Sequence, residues 1–105
     1  MNENDVKNRL EEMLPVGEEH AITAKEIKNL YGIDRRTLTA AIELARSNAL
    51  LPIAANENGY YISATQDEND RFCRVFRHRI EAQSKSLAGC MKAGKSLPAD
   101  GKEGI

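Results

Sequence analysis

Residues 22–46 read ITAKEIKNLYGIDRRTLTAAIELAR, two helix patterns joined by a very short turn. Thr23 and Glu26 make a T-x-x-E capping box, in which hydroxyl and carboxylate each take a backbone N–H that a helix start leaves without a partner. The pattern predicts a helix from Ala24 to about Tyr31 that buries Ile27, Leu30 and Tyr31. Gly32 stands where a left-handed residue closes a helix, Ile33 plugs the turn, and Asp34 caps the next helix. That helix is expected from Arg35 to about Ser47. At ~100° per residue, Leu38, Ala41, Ile42 and Ala45 form an inward stripe. Arg36, Thr39, Ala40, Glu43 and Ser47 point the other way, with Arg35 and Arg46 on a flank.

On the N-terminal side, Val6, Leu10, Met13 and Leu14 lie on one helical face. They predict a helix near Asp5 to Leu14, capped by Asn4 or Asp5 and ended by Pro15 and Gly17. Ala21 and Ile22 leave room for one or two sheet residues. Downstream, Leu50, Leu51, Pro52 and Ile53 read as an apolar strand, which Pro52 confines to an edge or a strand start. Asn56-Glu57-Asn58-Gly59 is turn chemistry, with Asn58-Gly59 the strong hairpin dipeptide. Tyr60, Tyr61 and Ile62 form the return strand.

A long helix is then expected from about Asp67 to Lys92. Phe72, Phe76, Ile80, Leu87 and Met91 make an apolar stripe with Val75 and Cys90 beside it. Arg71, Arg74, Arg77, His78, Lys85 and Lys92 gather on the far side. Gly94 and Pro98 end the helix. The expected plan is a domain over 1–66, an amphipathic helix over 67–93, and a flexible tail over 94–105. No internal repeat or low-complexity block stands out.

The chain has 105 residues, a length that suits one small domain. Its mean hydropathy is −0.54, and its longest apolar stretch, around Ala49 to Ala55, is far too short to span a bilayer. The polar, acidic N-terminus carries no secretory pattern, so the expected compartment is the cytoplasm. Charge is uneven. Met1 to Asp70 holds seven Lys/Arg and thirteen Asp/Glu, a balance of −6, and Arg71 to Ile105 holds eight and three, a balance of +5. Cys73 and Cys90 sit 17 positions apart in the expected helix, about 25 Å at helical rise. They cannot pair within one chain, and they read as buried or half-buried thiols. No Cys/His spacing suits zinc.

The residue order predicts a mostly α chain with a small hairpin: a winged helix-turn-helix with a long C-terminal helix. GIDRRTLTAAI and the following LLPIAANENGYYIS resemble the helix-turn-helix and wing of small winged-helix DNA-binding proteins of Gram-positive bacteria and their phages or mobile elements. The likeness spans roughly His20 to Met91. It departs at Lys28, where the motif usually carries a small alanine that lets the two helices approach: either the Lys28 stem snorkels outward or the helix pair is splayed.

The resemblance implies a cytoplasmic transcriptional regulator that binds double-stranded DNA. The second helix of such a pair enters the major groove with its N-terminal side chains at base edges. Arg36 can fork onto guanine, Thr39 can meet a base edge or a thymine methyl, and Glu43 can accept from cytosine. Arg35, Arg46, Asn56 and Asn58 suit phosphates. A homodimer is expected through Phe72, Phe76, Ile80 and Leu87, since a helix leaving a small core needs cover for its stripe. The acidic balance through Asp70 keeps a second reading open: a winged-helix protein–protein module that does not bind DNA.

Residues Gly89 to Ser96 match the phosphate-cradling pattern G-x-x-x-x-G-K-S. That chemistry needs a strand before the loop and a helix after it, whereas here a helix is expected to precede it. Glu11-Glu12 and Glu18-Glu19 read as solvated faces. No catalytic constellation, metal site, small-molecule ligand or cofactor is expected.

Overall fold

The computed structural model describes residues 1–99, which are mostly helical with one small antiparallel hairpin. Part of the expected tail, from residue 100 on, lies outside the described residues. The chain divides into two units, Met1–Phe72 and Cys73–Ile105.

Helix α1 runs Glu3–Met13. It starts earlier than expected because Asn2, rather than Asn4 or Asp5, is the cap: its Oδ1 accepts from the Asp5 N–H at 2.9 Å. The Asp5 carboxylate takes the Asn2 N–H in return. A 3-10 turn, Glu18–His20, follows. Helix α2 spans Ala24–Tyr31, and its capping box forms as the sequence predicts: Thr23 Oγ1 accepts from Glu26 N–H at 3.0 Å, and Glu26 Oε1 from Thr23 N–H at 2.9 Å. Those bonds hold the Glu26 carboxyl below the usual range, the Thr23 backbone N–H first among the causes. Gly32 closes α2 at φ +71° in the left-handed region.

Helix α3 covers Arg35–Ser47 and buries Leu38, Ala41, Ile42 and Ala45, as expected. It packs on α1, and the core joins these residues to Val6, Leu10, Met13, Ile27 and Ile33. The expectation for the end of α2 fails. Leu30 is 67% exposed and Tyr31 is also exposed. Leu30 lies about 120° around the helix from buried Ala24, off the narrow stripe that Ala24 and Ile27 present.

The apolar strand also starts later than expected. Strand β1 is Ile53–Asn56, and Leu50 is exposed. The residues before it close α3 instead: Ala49 adopts φ +54°, its N–H donates to Arg46 O, and Leu50 N–H donates to Ala45 O. This is a Schellman closure with alanine where glycine is usual.

Strand β2, Gly59–Ile62, pairs with β1 in the register Ile53↔Ile62, Ala54↔Tyr61, Ala55↔Tyr60 and Asn56↔Gly59. Its other edge takes the stub strand, with Ile22 N–H to Tyr60 O at 2.9 Å and Tyr60 N–H to Ile22 O at 2.8 Å. The hairpin turn is not the primed type that Asn58-Gly59 suggests. Such a turn needs positive φ at both central residues, which the register makes Glu57 and Asn58, and neither has it; the positive φ of +129° is at Gly59, already within β2. A Cβ at Gly59 would run into the Ile22 carbonyl, so the residue is there for a close backbone approach.

Helix α4 spans Gln66–Gly94. Its first turns belong to the first unit because they are tied to the residues after β2. Ala64 N–H donates to buried Glu68, Ser63 Oγ donates to Asn69, and Arg71 pairs with Glu18 at 3.2 Å. Tyr61, on the sheet face opposite Ile62, is 3% exposed. Burial, then the Glu18 and Glu68 charges, push its hydroxyl above the usual range. These ties carry the first unit past the expected boundary at residue 66.

Candidate functional site

The side chains singled out on α3 separate into two groups. Arg36, Thr39 and Glu43 are exposed and recur at helical spacing, with Ala40 half-buried among them. They lie opposite the stripe that packs on α1, so this face points away from α1 and its acidic residues Glu3, Asp5, Glu11 and Glu12. Asp34 fixes where the helix begins: its Oδ1 accepts from Thr37 N–H at 2.8 Å. That backbone bond lowers the Asp34 carboxyl most, the Thr37 side chain adds to it, and the Lys28 and Arg36 charges lower it further. Lys28 itself is exposed.

Arg35 is exposed at the first turn of α3 and lines an open groove of about 300 Å³. The other walls are Thr23 and Ala24 at the start of α2, and Ala55, Asn56, Glu57, Gly59 and Tyr60 of the hairpin. The fold therefore brings Arg35 to the hairpin, while Arg36, Thr39 and Glu43 continue along the outer face of α3. The Ile22–Tyr60 bonds set this groove, because they lock the hairpin beside the residue that caps α2.

Two expected phosphate contacts have structural partners. Arg46 Nε donates to Ile53 O at 2.9 Å, and its guanidinium lies 5.3 Å from the centre of the Phe72 ring. It links α3, the hairpin and the start of α4. Asn56 uses both ends of its amide: Oδ1 accepts from Asn58 N–H at 2.8 Å, and Nδ2 donates to Glu18 O at 3.1 Å. Asn58 is exposed at the tip with its side chain beyond the ladder. Spacing alone could not reveal either engagement, since Glu18 and Asn56 are 38 positions apart.

Of the residues expected at an interface, Phe72 lies beneath Arg46, Phe76 is half-buried, and Ile80 and Leu87 are 52% and 61% exposed. Both cysteines are exposed, against the expectation of burial. Cys90 has no core to enter, since every residue from 77 to 93 is exposed. The G-x-x-x-x-G-K-S stretch is helical from Gly89 to Gly94, so its backbone N–H groups are spent within α4 and form no phosphate cradle. Among the described residues, no three His, Cys, Asp or Glu side chains gather as a metal site, and no helix is long and apolar enough to cross a membrane. No protein-family model, curated protein or solved structure matches the chain.

Proposed function

We propose that α2, α3 and the hairpin act as a winged helix-turn-helix that binds double-stranded DNA, and that the chain is a small transcriptional regulator of bacterial or phage origin. The observation that carries this reading is the outer face of α3. Arg36, Thr39 and Glu43 stand exposed behind a tight Gly32–Asp34 connection, with Arg35 beside the hairpin. In the major groove this face would place Arg36 for a guanine edge and Glu43 for a cytosine amine. Arg35 and the hairpin tip would meet the flanking phosphates. The reading calls for no catalytic residue and no cofactor.

Fluorescence anisotropy on labelled mixed-sequence duplexes tests it. Log affinity is expected to fall linearly with log salt, by about 0.9 per phosphate neutralised on B-form DNA. Replacing Arg35 and Arg36 together by alanine should abolish binding at low salt without moving the melting temperature, since both side chains are exposed. A flat salt plot, or unchanged binding by the double variant, refutes this assignment.

A second reading, a protein–protein module on the same fold, draws on the balance of −6 through Asp70 and on exposed Leu30 and Tyr31. It predicts no salt-dependent duplex binding, and loss of a protein partner when Leu30 is changed to Asp.

A further inference from the structure

We infer that a second copy of this chain covers α4, in parallel and in register, through a heptad seam at Cys73, Phe76, Ile80, Gln83, Leu87 and Cys90. These positions alternate three and four residues apart within one continuous helix, the spacing that keeps a stripe facing a supercoiled partner. The row farthest from the seam is basic: Arg71, His78, Lys85 and Lys92 fall seven apart. Such a row stays in solvent when two helices pair. Most helical stability in proteins comes from packing of an apolar face rather than from propensity, and Ser84, Ser86 and Gly89 lower the propensity of this stretch, so the segment gains from cover.

The area fits a second copy. Five exposed seam positions and the open part of half-buried Phe76, with the stems of Arg77 and Arg79 beside them, offer on the order of 500 Å² per partner, about 1,000 Å² in all, the size a specific interface has to reach. The flanks raise no charge conflict. In a parallel pair each flanking residue meets the one five positions further along its partner, which sets Arg79 against Ser84 and Ser86 against Met91.

Gln83 decides the orientation. A parallel, in-register pair sets each Gln83 against its own copy, where one amide donates and the other accepts. An antiparallel pair sets core positions of opposite type against each other, Ile80 facing Gln83 and Cys73 facing Cys90. The amide is then buried without a partner.

This inference does not rest on DNA binding, and its test uses the full chain without DNA. Light scattering at about 50 µM, well above a micromolar Kd, should give twice the 11.7 kDa chain mass. Leu87→Lys should halve the mass and leave the melting of the first unit in place. Under mild oxidation, Cys73→Ser and Cys90→Ser should each still yield a cross-linked dimer through the cysteine that remains, and Leu87→Lys should lose it. A monomeric wild-type chain overturns the inference. So does a cross-link that both single variants abolish, since that marks Cys73 against Cys90 in an antiparallel pair.

Discussion

Replacing Gly59 by alanine asks whether the hairpin is held against the start of α2 by backbone proximity. At φ +129° a side chain is strained, a cost of about 1–2 kcal/mol for left-handed backbone. The new methyl would also meet the Ile22 carbonyl and lie 2.7 Å from Thr23 N, and these are backbone atoms that cannot swing aside. Relief requires the strand to back away, which breaks the pair of bonds between Ile22 and Tyr60 at about 0.5–1.5 kcal/mol each. The total is roughly 2–5 kcal/mol. The first unit, Met1–Phe72, can be expected to hold about 4–11 kcal/mol in all.

In a domain of this size each kcal/mol moves the midpoint by about 4–8 °C, so thermal melts followed by far-UV circular dichroism should fall by about 8–40 °C. Gly32→Ala is the control. It has φ +71° but nothing within 4 Å of the added carbon, so only the conformational cost of about 1–2 kcal/mol remains. Gly89→Ala, inside α4 with open space around it, should instead raise helix content, worth up to about 1 kcal/mol. If Gly59→Ala melts together with Gly32→Ala, the close approach does not hold the hairpin and the reasoning fails.

Other outcomes follow from the same contacts. Ala49→Gly should stabilise the first unit by about 0.5–1 kcal/mol in urea titrations, since it relieves left-handed strain in the closure of α3. Arg46→Gln should cost about 1–3 kcal/mol in the same assay through the lost Ile53 bond and ring contact, while the slope of any duplex-binding salt plot stays unchanged. Acid should destabilise the fold. Asp34 and Glu26 are held below their usual range when folded, so their contribution is present above the ordinary carboxylate pKa of about 4 and is lost as pH falls through the folded values. Asp34→Asn keeps a capping side chain and should flatten the acid limb of melting temperature against pH.

Much of the fold was legible because its signals are local. The Thr23/Glu26 box, Gly32 and the Asp34 cap are each satisfied within a few residues, so α2 and α3 fall where their sequence puts them. The outer face of α3 was legible too, because burial of Leu38, Ala41, Ile42 and Ala45 leaves Arg36, Thr39 and Glu43 nowhere else to point. What escaped depends on distant partners. Nothing in the spacing tells Arg46 that Ile53 O and Phe72 will meet it, or Asn56 that Glu18 O will. Ala49 hid the end of α3 because glycine is the usual marker of that closure. Leu30 misled because periodicity names a face but does not say how wide the neighbouring surface is.

The amide bridge from Asn56 to Glu18 has a thermodynamic consequence for recognition. A β-ribbon fastened at its tip to a turn far away in sequence has surrendered its freedom during folding. Whatever molecule meets that ribbon finds a rigid strut, and the encounter carries little of the ordering penalty that a loose loop would add to association.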